Sequence, residues 1–133
     1  MARRKRKRTP RVVGLRKGPD WSCHGPRDLD AGDLAEIRDF SKKIHASGLK
    51  IPKMQVLFWQ SILCGGKSCM GICTTTGGRS YQIMLLKSDN WVETLVHEVA
   101  HAVTDGSVRS GAEPHAQVWA AIYGVLYQAV IER

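Results

Sequence analysis

Two hydrophobic rhythms alternate along the chain after a long polar start. Leu34, Ile37, Phe40 and Ile44 recur every three or four residues, the spacing of one helical face, which predicts a helix capped by Asp28 or Asp30 and running to about Ala46. Ser47-Gly48 ends it. Met54 to Trp59 predicts a strand, Cys69 to Thr76 a second, and Ser80 to Lys87 a third, with Tyr81, Ile83 and Leu85 on one side. Gly65-Gly66 and Gly77-Gly78 read as hairpin turns. The helical rhythm returns at Leu95, Val96, Val99, Ala100 and Val103, predicting a helix from about Asp89 or Asn90 to Gly106, with Gly106 suited to a left-handed stop. Pro114 suits the first position of a last helix to about Ile131, whose buried stripe is Val118, Trp119, Ile122, Val125, Leu126 and Ala129. The order of helix, three strands, helix, helix predicts an α+β fold: an N-terminal helix, a three-stranded and mostly antiparallel sheet, and two closing helices on one face of it.

The second of these helices carries the chemistry. It contains His97-Glu98-Val99-Ala100-His101. Four residues of α-helix advance about 400°, so the two histidines stand one above the other, close enough to share a metal ion. Glu98, beside the first, can reach a water on that metal. This is the H-E-x-x-H pattern of zinc hydrolases, two ligands and a general base, and it lies in the middle of the helix it requires. A catalytic zinc usually takes a third protein ligand. The candidates are Asp105, Glu113 and His115. Asp105 also reads as a helix-end residue. His115 precedes Val118 and Trp119 by three and four residues and so leans to the buried side of the last helix, which favours it, with Glu113 and Asp105 as alternatives.

The stretch from Glu93 to Ala102, followed by Pro114-His115-Ala116-Gln117-Val118-Trp119, resembles the SprT-like zinc metallopeptidases, and more closely the minimal zincin-type proteins of bacteria and their phages. Members carry an alanine after the second histidine and a third histidine opening the next helix. Here Ala116 replaces a common glycine, and Trp119 supplies the usual aromatic. The resemblance implies a zincin-like fold over 28–133, zinc (Zn2+) held by His97, His101 and His115, and peptide hydrolysis with Glu98 as general base. It also implies an extended peptide pairing with a sheet edge near the motif helix, by strand addition. The zinc ribbon of larger members is not expected here, nor are the activities that depend on it, including action on proteins crosslinked to DNA.

Length and charge add the rest. At 133 residues the chain is long enough for one core, and 43% hydrophobic residues fit a globular domain. No apolar run approaches the roughly 18 residues of a membrane span, and no apolar segment follows the charged start as in a secretory signal. A cytoplasmic protein is expected, in the host cytoplasm if phage-encoded. Residues 1–17 carry nine Lys or Arg and no acid, whereas residues 18–133 carry eleven against twelve Asp or Glu. Residues 1–27 are expected to be a basic, largely disordered arm and linker. The run Arg3, Arg4, Lys5, Arg6, Lys7, Arg8 is a candidate grip on nucleic acid, salt-dependent and indifferent to sequence. A solubilising tail or a contact to an acidic protein would look the same. Cys23, Cys64, Cys69 and Cys73 lack a standard zinc-knuckle spacing, although Cys23-His24 could complete a second site if the linker folds back. Tyr123 and Tyr127 could donate to an oxyanion but read more simply as core or rim residues. Beside the peptidase stand two other readings: a nucleic-acid-associated binding protein with a structural metal site, and a metal hydrolase of some other amide or ester.

Overall fold

A computed structural model describes residues 11–13, 20–76, 79–107 and 115–132, without the side chains of Ser107, His115 and Ala116. The elements run β1 (Arg11–Val12), β2 (Trp21–Arg27), α1 (Ala31–His45), β3 (Lys53–Cys64), β4 (Lys67–Ser68), β5 (Gly71–Thr75), β6 (Ser80–Leu86), α2 (Trp91–Ser107) and α3 (His115–Val130). The chain is α+β, with the three helices and three main strands foreseen from the hydrophobic rhythm. The sheet is larger than expected. It is mixed and curled like half a barrel, ordered β1-β5-β6-β3-β2, with β4 folded back on β3. A three-stranded, mostly antiparallel sheet is therefore corrected to six strands with a parallel pair, β3 against β6, at its centre.

The added strands have a physical cause. Trp21–Arg27 contains Gly25 and Pro26 and reads as a breaker-rich linker, yet it pairs antiparallel with β3 from Trp21↔Cys64 to Arg27↔Phe58. Its turn residues are tolerated because β2 is an edge strand, where a missing donor faces outward, and because Gly25 takes φ +69°, a left-handed conformation open to glycine. Trp21–Arg27, placed in the arm and linker from sequence, therefore belongs to the sheet. Gly65 and Gly66 (φ 60° and 78°) form the two-residue turn between β3 and β4, as expected of paired glycines. Gly77-Gly78 lies outside the described residues.

The helices start and stop for local reasons. Asp30 caps α1, accepting from the Asp33 amide while Asp33 accepts from the Asp30 amide, a reciprocal capping box. Lys87, just after β6, binds the buried Asp33 carboxylate and ties this helix start to the end of the central strand. Helix α2 runs one residue past Gly106, which is not among the positive-φ glycines, so the left-handed stop expected there does not form.

The main core lies between the sheet and the helices. Tyr81, Ile83 and Leu85 of β6 meet Leu95, Val96, Val99, Ala100 and Val103 of α2, every one of them buried. Ile122 and Leu126 of α3 and Phe40 and Ile44 of α1 close it. Leu34 and Val125, assigned to buried stripes by spacing alone, are exposed, since each stripe meets its neighbour over less than its full width. A smaller cluster of Ile62, Ile72 and Met84 gathers Trp21, Trp59 and three cysteines.

One contact sets how closely β5 approaches α2. A Cβ on Gly71 would lie 2.9 Å from Thr94 Cγ2, 3.0 Å from Leu85 Cδ2 and 3.1 Å from the Met84 carbonyl oxygen. Gly71→Val should therefore destabilise the protein by about 1–3 kcal/mol in denaturant unfolding. Gly124, within α3, has no atom within 4 Å of such a Cβ, and Gly124→Ala should stabilise by up to about 1 kcal/mol.

Candidate metal centre

Helix α2 buries one face against β5 and β6, which turns the neighbouring stripe toward a cleft. His97 and His101 occupy that stripe, one turn apart, with His97 exposed and His101 half-buried. Their Nε2 atoms are 3.3 Å apart. Two nitrogens bound tetrahedrally to one zinc ion, each about 2.05 Å from it, also lie about 3.3 Å apart. The pair is thus already at the separation a shared metal needs. The Glu98 carboxylate is 4.0 Å from His97 Nε2 and 6% exposed. Among the described residues, His97, Glu98 and His101 are the one group of three His, Cys, Asp or Glu side chains with ligand atoms all within 4.8 Å of one another. This group could hold a metal ion.

Burial sets the protonation of the site. Glu98 sits almost wholly inside the protein, and loss of water pushes its pKa up from 4.5 to about 7. Desolvation also lowers the pKa of His97, favouring the neutral imidazole that binds metals.

The walls come from two other elements. Trp119 of α3 stacks on His101 (centroids 5.2 Å, 28°) and meets His97 edge-on at 4.9 Å. Tyr123 stacks on Trp119 at 5.1 Å and lies 6.2 Å from His97. Met70 and Gly71 bound the opposite side, at the start of β5. Together with Glu93 and Thr94 of α2 they enclose a cleft of about 310 Å³ on the His97–Glu98 side.

The proposed ligands and their alternatives fare differently. His97, Glu98 and His101 come together as their spacing requires. The side chain of His115 and all of Glu113 lie outside the described residues, although α3 begins at His115. Asp105 is engaged elsewhere: Arg11 donates to both of its oxygens at 2.8 Å, and the Tyr81 hydroxyl donates to Oδ2 at 2.7 Å. It stands apart from the histidine pair, which argues against it as a ligand. The cysteines divide between the two clusters, Cys73 in the main core and Cys23, Cys64 and Cys69 around the smaller one. Burial, then the neighbouring Cys69, pushes the Cys23 thiol up to about 11, and burial also raises Cys69 and Cys73. No second set of metal donors forms from them among the described residues. The arm residues Arg3 to Arg8 lie outside those residues.

Sequence reasoning left Tyr123 out of the site and did not reach Glu93 or Met70. A signal for Tyr123 was present: Trp119, Tyr123 and Tyr127 recur every four residues, and in space they form one continuous stack. Glu93 precedes His97 by four residues and so shares its face of α2.

The raised pKa of Glu98 has a measurable sign. In the folded, metal-free protein Glu98 holds its proton up to about 7, whereas the unfolded chain releases it near 4.5. At this group the unfolded state therefore binds fewer protons between these values, and the contribution of Glu98 to stability falls as pH rises from 4.5 to 7. That fall is on the order of 3 kcal/mol. Denaturant unfolding across this range should show Glu98→Gln free of it, as the difference from wild type in metal-free buffer.

Compared with protein-family profiles, with curated protein sequences and with solved structures, the chain matches none of them, so the reading of this centre rests on its own residues.

Proposed function

We propose that the protein is a zinc-dependent peptidase of the minimal zincin type, similar to the SprT-like metallopeptidases. The observation that carries this reading is the His97–His101 pair at metal-sharing distance with a buried carboxylate beside it. A zinc ion held there supplies a Lewis acid and an acidified water. Glu98, buried beside the pair, takes the proton of the attacking water and passes it to the leaving amine. His115 is the third ligand in this reading. Support comes from α3, which opens at that residue and, one turn later, lays Trp119 against both imidazoles. Met70 and Gly71, at the cleft and leading into β5, support an extended peptide lying along that strand. Among the described residues, β1 covers the outer side of β5 only from Cys73 to Thr75.

A structural metal site serving a nucleic-acid-binding protein is favoured by one observation, the nine basic residues of 1–17. A purely structural site has no use for an ionisable carboxylate buried beside its ligands, which is why the hydrolytic reading is preferred. The two combine readily: the arm, through Arg3, Arg4, Lys5, Arg6, Lys7 and Arg8, holds the protein near nucleic acid while the cleft acts on a protein there.

Elemental analysis of the purified chain should find zinc, bound with lower affinity by His115→Ala and lost in His97→Ala. Glu98→Gln should keep the zinc and lower peptide cleavage by about 10²–10⁴-fold; full residual activity would refute the general base. Deleting residues 2–8, which leaves Arg11 on Asp105, should weaken binding to DNA or RNA at low salt and flatten its salt dependence. Unchanged binding would dismiss the arm as the grip.

A further inference from the structure

We propose that the cleft beside the histidine pair receives a lysine or arginine side chain of the peptide, selected by Glu93; this rests on the peptidase reading above. The chain as a whole carries a net charge of +8, yet among the described residues the cleft lining contains two carboxylates and no lysine or arginine. Glu98 is buried and belongs to the reacting end. Glu93 is exposed, one helical turn before His97 on the same face of α2. No ion pair or side-chain hydrogen bond among the described residues engages its carboxylate. It is an acidic group at the wall of the cleft with no ion-pair partner among the described residues.

The other walls fit the rest of such a side chain. Lysine and arginine join an apolar stem of three or four methylenes to a cationic head. Met70, 47% exposed, offers a flexible thioether against which the stem can lie. Tyr123 lines the same cleft as Glu93 and offers a ring face to a cation. The cleft volume of about 310 Å³ has room for one such side chain. A glutamate in the same position would meet the like charge of Glu93. The selection is a contact between exposed charges and should weaken as salt screens it.

The test uses the zinc-loaded full-length protein and peptides identical except for lysine, norleucine or glutamate at each position flanking the cut. Wild type should prefer lysine over norleucine by roughly fivefold in kcat/KM at low salt, with glutamate worst. Glu93→Gln should keep its zinc and lose the preference. Equal cleavage of the three peptides, or a preference that survives Glu93→Gln, would overturn the inference. Calorimetry on zinc-loaded Glu98→Gln separates the two readings. If wild type cuts nothing but this variant binds the lysine peptide best, and loses that ranking on adding Glu93→Gln, the recognition stands and the peptidase reading falls. Absence of both cleavage and ranked binding would overturn both.

Discussion

The burial of one face of α2 against the centre of the sheet is the constraint on which the rest depends. Leu95, Val96, Val99, Ala100 and Val103 are each at most 2% exposed, so the helix has no freedom to roll about its axis. Rotation of a helix is a choice about every stripe at once. With the apolar face fixed on β6, the stripe holding His97 and His101 is delivered to the cleft, and Glu98, between the two, is carried to the boundary of the core. The site is thus a by-product of packing: two imidazoles on the wet side and one carboxyl on the dry side, separated by about 100° of helix for consecutive residues.

What the sequence disclosed follows from range of interaction. The helices are legible because their signal is local: the Asp30 cap, the spacing of Phe40 and Ile44, the five apolar positions of α2. Strand β6 is legible for the same reason, through Tyr81, Ile83 and Leu85. The chemistry of α2 is legible because a ligand pair at i and i+4 needs only the helix that carries it. Strand β2 was hidden, since Gly25 and Pro26 argue against a strand until β3 is present to pair with it. The parallel arrangement of β3 and β6 was hidden as well, because nothing within either strand encodes the direction of its neighbour. Leu34 and Val125 show the converse failure, where a correct period says which residues share a face but not how far the partner extends. The aromatic wall and Glu93 required the relative placement of α2 and α3, which no single segment records.

The electrostatics of the molecule are divided in space in a way its composition conceals. Positive charge is concentrated before residue 18, the remainder of the chain is nearly balanced, and the cleft is lined by acids. Arg11 stands at the junction, paired with Asp105 near the end of α2. The same helix therefore carries the histidine pair in its middle and, near its end, an acid tied to a strand within the basic segment. Desolvation raises the thiols of Cys23, Cys69 and Cys73, which disfavours the thiolate form that a metal would bind.

The position of β6 has a consequence for the birth of the protein. It lies between β5 and β3, both made before it, and those two strands have no pairing with each other until it arrives. As the chain emerges during synthesis, β2, β3 and β4 can form an antiparallel sheet early, but the layer that receives α2 is missing its middle strand until residue 86 has been made. The next helix to emerge is α2 itself. The histidine pair is thus synthesised only after all the strands of the surface that orients it.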